Sequence, residues 1–276
     1  MSIEKSAYFF LDICILLPQT LNISAKLCEN FLKKAGRLCY ISSSVYLRAS
    51  KMLDDTYDWV LKEIQENLYP YLQKHRIDRL TCRDARVFEG FFNERIRQLK
   101  TFKSPAMYYE MVGRMEHWAV TQIHSIELGR EIEAEMFLTA LLSELSRVYE
   151  SLKAPLDAIE VKNITPKEEI KSQVILQGVH KFEDIDHLAS AIQFQFTNNV
   201  WVVFVTFDEK HILSHQRRFL DVCALHCCKP DYAMDYARDI SREKTPIQYY
   251  LSISPKSSQQ EIFAKAIESS LHVSIK

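Results

Sequence analysis

Glycine is scarce in this chain. Only Gly36, Gly90, Gly113, Gly129 and Gly178 occur among 276 residues, and no two adjoin. A loop that cradles phosphate needs clustered glycines so that backbone N–H groups can approach the anion. The dinucleotide fingerprint and the Walker loop are therefore excluded, together with the common nucleotide-cofactor enzymes. Net charge is scarce as well. The formal value is −1, so no global positive field draws in nucleic acid, and any such contact must come from local patches. The apolar start, Ala7 to Leu17, is too short to span a bilayer and carries Asp12 in its middle. Glu4 spoils a basic leader, and no small-residue cleavage site follows. Seven cysteines, an odd number, do not make a small-domain disulfide framework. These features predict a soluble protein of a reducing, cytoplasmic compartment, without membrane contact.

Several chemistries can also be set aside. Cys223, Cys227 and Cys228 cluster with His226, but a zinc site wants two separated ligand pairs. In a short apolar run they read as buried thiols acting as small hydrophobes. The chain has no nucleophile-elbow Ser–His–Asp motif and no HExxH. What remains is ordinary globular material, 47% hydrophobic and 26% charged, ample for a sizeable core.

Periodicity divides the chain into α/β ends and a helical middle. Ala7–Leu11 is a continuous apolar run, which fits a strand buried on both faces. Ile23, Leu27, Phe31 and Ala35 recur at helical spacing and Gly36 closes that helix, after which Leu38–Ile41 reads as a second strand. The three make a βαβ unit. From about Ser43 to Leu152 four apolar stripes predict helix throughout, the first ending at Pro70, packed as a bundle. The α/β character returns at Thr165-Pro166-Lys167-Glu168, which reads as a capping box with proline at the first helical position. A helix from about Asp184 to Phe196 follows, and Asn198-Asn199 turns the chain into Trp201–Thr206, the strongest strand signal present. A short helix over His211–Phe219, strands over Val222–Cys227 and Ile247–Ile253, and a last helix capped by Ser258 and Glu261 complete the prediction. The expected division is an α/β domain from residues 1–50 and 160–276, with residues 51–159 as a helical insertion.

Three aspartates share a position in this scheme. Asp12 ends the first strand, Asp208 lies just past Trp201–Thr206, and Asp184 starts the helix feeding that strand. In a parallel α/β sheet the binding crevice lies at the carboxyl ends of the strands. Carboxylates gathered there repel, and a divalent cation removes the penalty; oxygen ligands suit Mg²⁺ or Mn²⁺. Asp184 also fits a helix cap and Asp208 a turn. Asp12, inside an apolar run, is harder to explain away, because an unpaired buried charge is costly.

Phe10-Leu11-Asp12-Ile13-Cys14, Asp184-Ile185-Asp186-His187-Leu188-Ala189-Ser190-Ala191, Val205-Thr206-Phe207-Asp208 and Val222–Pro230 together resemble the PIN-like domain family. The match covers roughly residues 6–50 and 165–240. The resemblance implies a Rossmann-like three-layer parallel sheet and a metal-dependent ribonuclease site, as in VapC-type toxins. Asp12, Asp184 and Asp208 would hold Mg²⁺ or Mn²⁺, with Asp186 and Thr206 as accessory residues. The chain departs from the family at Arg48, which stands where an acid is expected and would pair with the aspartates. Asp54, Asp55, Glu89 or Glu135 would then have to supply that acid. Lys210, His211, His215, Arg217 and Arg218 follow Asp208 and are suited to phosphates, as a solvated helix face also explains. His187 is expected to pack or hydrogen-bond near its helix start. The functional expectation is a metal-dependent endonuclease acting on single-stranded RNA. The alternatives are a catalytically degenerate scaffold binding RNA, or a protein partner through the insertion, and an unrelated α/β protein whose aspartates are caps.

Overall fold

The structure is a computed structural model and describes residues 7–17, 23–102, 106–240 and 244–252. Its elements run β1 (Tyr8–Leu11), α1 (Ile13–Leu16), α2 (Ile23–Ala35), β2 (Cys39–Ser42) and α3 (Ser43–Glu63). A π-helical turn over Ile64–Leu68 leads to α4 (Tyr69–Lys74), β3 (Arg79–Leu80), α5 (Ala85–Gln98), α6 (Ala106–His124), β4 (Ile132–Glu133) and α7 (Ala134–Asp157). The chain continues through β5 (Glu160–Lys162), α8 (Glu168–Leu176), α9 (Phe182–Asn198), β6 (Val202–Val205), α10 (Gln216–Cys223), β7 (His226–Cys228), α11 (Pro230–Ile240) and α12 (Pro246–Ser252). Among the described residues, those from 49 to 157 form one compact unit, and those up to 48 and from 158 to 252 form the other.

The second of these units is α/β. Its five strands lie in the order β5-β2-β1-β6-β7, and every neighbouring pair is parallel. Successive strand residues point to opposite faces, and β1 shows both. Phe9 meets Phe31 of α2 edge-on at 5.1 Å, while Tyr8 and Phe10 meet Phe194 of α9 at 6.1 and 5.5 Å. Helices therefore cover both sides, and β1 and β6, buried nearly throughout, run without polar alternation. Strand order reverses between β1 and β6: β2 and β5 lie to one side, β6 and β7 to the other. Such a switch point opens a crevice beyond the carboxyl ends of the two central strands. Asp12 follows β1 there, and Thr206 follows β6.

Several local expectations need correction. Ile247–Ser252 is helix α12, not strand: Thr245 and Gln248 exchange side-chain to backbone hydrogen bonds (3.0 and 3.4 Å) and Pro246 is the first helical residue. This is a capping box, and it outweighs the β-branched and aromatic composition. The similar Thr165–Glu168 pattern makes no box. Lys167 is the extended N-cap and makes no side-chain capping bond, and Glu168 opens α8. Val222 and Cys223 end α10 rather than begin a strand, because Ala224 turns left-handed (φ +53°) and β7 starts only at His226. Asn199 takes the left-handed cap of α9 (φ +50°), as its turn signal implies. The predicted helix capped by Ser258 and Glu261 lies outside the described residues, as does Ile253.

The unit spanning residues 49–157 is mainly helical, with Phe88, Phe92, Met111, Met115, Leu141 and Leu145 in its core. It is not helix throughout. Arg79–Leu80 pairs antiparallel with Ile132–Glu133, a bridge too short to leave any periodicity in the sequence. Pro70 does not end the first stripe. It sits in the first turn of α4, directly after the π-helical turn over Ile64–Leu68, so the helical path runs on past it.

All seven cysteines are free thiols, and Cys223, Cys227 and Cys228 are buried. No helix among the described residues is long and apolar enough to cross a membrane. His226, in β7, packs on Trp201 at 5.8 Å and on Tyr236 at 5.6 Å. Burial pushes its imidazole down from 6.5 to about 4. Because the folded state holds this histidine neutral while the unfolded chain protonates it, stability is lost as pH falls from 6.5 toward 4. Urea unfolding should therefore show His226 costing about 2 kcal/mol between about pH 7.5 and about pH 5, and His226→Phe should remove that share of the pH dependence.

Candidate metal centre

The site is built from three chain segments at the switch point. The first is the end of β1. Asp12 caps α1, its Oδ1 accepting the Ile13 N–H at 2.7 Å. Its Oδ2 accepts the Thr206 hydroxyl at 2.5 Å and the Cys14 thiol at 3.3 Å. These bonds answer how a charge is tolerated inside an apolar run. The second segment follows β6. Thr206 is fully buried, donates to Asp12, and accepts the Asp208 N–H at 2.9 Å. One hydroxyl thus ties the ends of both central strands. Asp208 in turn accepts the His211 N–H at 2.8 Å, and His211 Nδ1 lies 3.2 and 3.1 Å from its two oxygens.

The third segment is the first turn of α9. Lys181 is the N-cap, so Asp184 lies inside the helix rather than capping it. A carboxylate there is favoured by the helix dipole, and Lys181 Nζ stands 3.6 Å from Oδ1. Its Oδ2 is buried without a hydrogen-bond partner. Burial raises the Asp184 carboxyl above its ordinary range against the pull of Lys181; Asp12 and Asp208 raise it further, and His211 opposes them. The three aspartates therefore feel one another.

The tightest group is Asp184, Asp208 and His211, whose ligand atoms lie within 4.8 Å of one another. Asp12 stands behind it, already committed to the Ile13 amide, Thr206 and Cys14. In the sequence His211 belongs to a basic run that suits either phosphates or a solvated helix face. Its turn back onto Asp208 at i+3 depends on the loop conformation, which the sequence pattern does not show. Two carboxylates and an imidazole, one carboxylate oxygen being desolvated and unpaired, form a donor set that fits a divalent cation. Such an ion would satisfy the orphaned oxygen and cancel the repulsion.

The remaining candidates fall around this group. Arg48 pairs with Glu183 at 3.5 Å, both half-exposed, and not with the aspartates; the helix that carries it begins only at Ser43, and its side chain meets the residue before Asp184. Asp186 pairs with Lys171 at 3.4 Å. His187 is buried edge-on against Phe204 at 4.8 Å, with Nδ1 4.0 Å from Asp12 Oδ1. Burial pushes its imidazole down to about 4, against the pull of Asp12, Asp186 and the Leu11 carbonyl, so it brings no positive charge at neutral pH. Lys210, Arg217 and Arg218 are exposed, and Arg217 reaches Asp221 at 3.9 Å. Comparison with protein-family models, with curated proteins and with solved structures finds no match to this chain.

Two measurements follow from these contacts. Thr206→Val keeps the volume but strips a donor from Asp12 and an acceptor from the Asp208 amide. Urea unfolding should show a loss of about 1–3 kcal/mol. Asp184→Asn removes a partly buried charge that Lys181 meets on one oxygen only, so in chelator the variant should melt above wild type, by the equivalent of about 0.5–2 kcal/mol. Adding Mn²⁺ should reverse that order, because only the wild-type carboxylate gains from the ion.

Proposed function

We propose that this protein is a divalent-metal-dependent nuclease that hydrolyses phosphodiester bonds of single-stranded RNA on a PIN-like fold. The observation that carries the reading is the buried Asp184 oxygen without a partner, grouped with Asp208 and His211 at the mouth of the sheet's switch point. Mn²⁺ suits this mixed oxygen and nitrogen set better than Mg²⁺. When bound, the cation would supply an activated water and offset charge on the phosphodiester. Asp184, Asp208 and His211 would hold it. Asp12 fixes the geometry through Thr206 and adds negative potential, and His211 orients Asp208 through its ring N–H. Lys210, Arg217 and Arg218 meet backbone phosphates at the rim. The reducing, cytoplasmic setting expected from the cysteine content remains part of this reading.

The rival is a non-cleaving scaffold that binds RNA, or a protein through the inserted unit. Its motives are Arg48 near the acids and the near-neutral net charge of −1; the Arg48–Glu183 pair weakens the first. A single assay decides between the two. Purified protein is incubated with single-stranded RNA and Mn²⁺, beside Asp184→Asn and Asp208→Asn. The expected result is cleavage by wild type that chelator abolishes and that falls at least about 100-fold in both variants. Cleavage undiminished in the variants removes this site as its source. Absence of both cleavage and Mn²⁺ binding in wild type favours the scaffold.

A further inference from the structure

Next to the acidic group lies a second feature that the metal chemistry does not use. A cleft of about 420 Å³ is lined by residues that include Glu209, Gln216, Lys229, Tyr232 and Tyr236. Its size falls in the lower part of the range for small-ligand sites and suits one nucleotide. It is linked to the candidate metal centre through Glu209, the residue after Asp208, and Lys229 follows the end of β7.

The wall of the cleft formed by α11 is aromatic. Tyr232 and Tyr236 are spaced i, i+4 and so share one face of the helix, and they are 57% and 41% exposed. Ala233, about 100° round the helix from Tyr232, is buried, and so is Ile240, one turn beyond Tyr236. Two partly exposed rings one turn apart offer apolar area to the solvent. Tyr236 is also braced from behind. Its ring lies 5.6 Å from that of His226, which rests on Trp201 at 5.8 Å. A ring held in place before a ligand arrives loses little entropy on binding. The charged residues of the lining are Glu209 and Lys229. Lys229 forms an ion pair with Glu209, and the exposed Arg217 and Arg218 follow Gln216.

We infer that this cleft is a nucleobase subsite, in which one base of a single RNA strand stacks on Tyr232 and Tyr236 while the flanking phosphates meet Lys229, Arg217 and Arg218. The inference rests on the nuclease reading for the identity of the strand, but base capture itself needs no metal. Stacking on aromatic rings accepts any base, because every base has a π-face. Gln216 brings an amide, both donor and acceptor, to the base edge. The subsite sets which nucleotide lies beside the scissile bond and makes the protein a reader of unpaired strands, since a base inside a duplex has no free face to offer.

The test uses the full chain in chelator, so that cleavage plays no part. Fluorescence anisotropy compares a labelled uridine decamer with an abasic decamer of equal length and charge. Wild type should bind the uridine strand roughly 5- to 150-fold more tightly. The double substitution Tyr232→Ala, Tyr236→Ala should abolish that preference, and Tyr232→Phe, Tyr236→Phe should keep it. Asp184→Asn should retain the preference while losing Mn²⁺ binding. Equal affinity for the two decamers, no binding of either, or a preference that survives the alanine pair overturns the subsite. Cleavage with equal affinities sinks the subsite alone, whereas a base preference without Mn²⁺-dependent cleavage sinks the nuclease and leaves the subsite standing.

Discussion

The Thr206 hydroxyl holds the candidate site together. It has one hydrogen to give and gives it to Asp12, and it has lone pairs to offer and offers one to the Asp208 amide. Both partners sit where β1 and β6 leave the sheet, so a single oxygen fixes the relation of the two strand ends. The parallel pairing from Tyr8 with Val202 to Leu11 with Val205 brings those ends level. A one-residue slip would turn the side chains to the opposite face and carry Thr206 away from Asp12. Burial makes the hydroxyl effective, because no water competes for it.

Against this fixed pair, Asp184 is the member with energy in reserve. Asp12 is satisfied by three donors and Asp208 by His211, whereas one oxygen of Asp184 is dry and unpaired. Natural folds keep such groups rare because each costs free energy. One retained beside two other acids, in the first turn of a helix whose later turns are buried, is the feature on which the metal-binding proposal rests. The adjoining cleft continues the pattern with rings and cations that the core does not require.

Some of this was legible in the residues. Continuous apolar strands, the Asn199 turn, and the recurrence of aspartate where strands or helices meet the crevice follow from patterns of two or three residues. Other features needed coordinates. Ala224 adopts a left-handed cap without being glycine, so the end of α10 left no mark in the sequence. The Thr245–Gln248 box and the unused Thr165–Glu168 box look alike as strings, and only the extended Lys167 and the position of Pro166 separate them. The ring of His211 folds back through a loop, and the partners of Arg48 and Asp186 are set by helix packing, which spacing along the chain does not encode.

Helix α9 carries one more implication. Near its start stands Asp184; near its end Gln195 accepts the Val202 N–H at 3.0 Å and donates to the carbonyls of Cys223 and Ala224 at 3.3 and 3.1 Å. Eleven residues of helix span about 16 Å, close to the roughly 13 Å of a four-residue strand. The helix therefore works as a ruler laid along β6, anchored at the strand's entry and delivering its carboxylate at the exit. Lengthening or shortening it by one residue would swing one end through about 100°, so the spacing between the glutamine and the aspartate is as much a part of the site as the acids themselves.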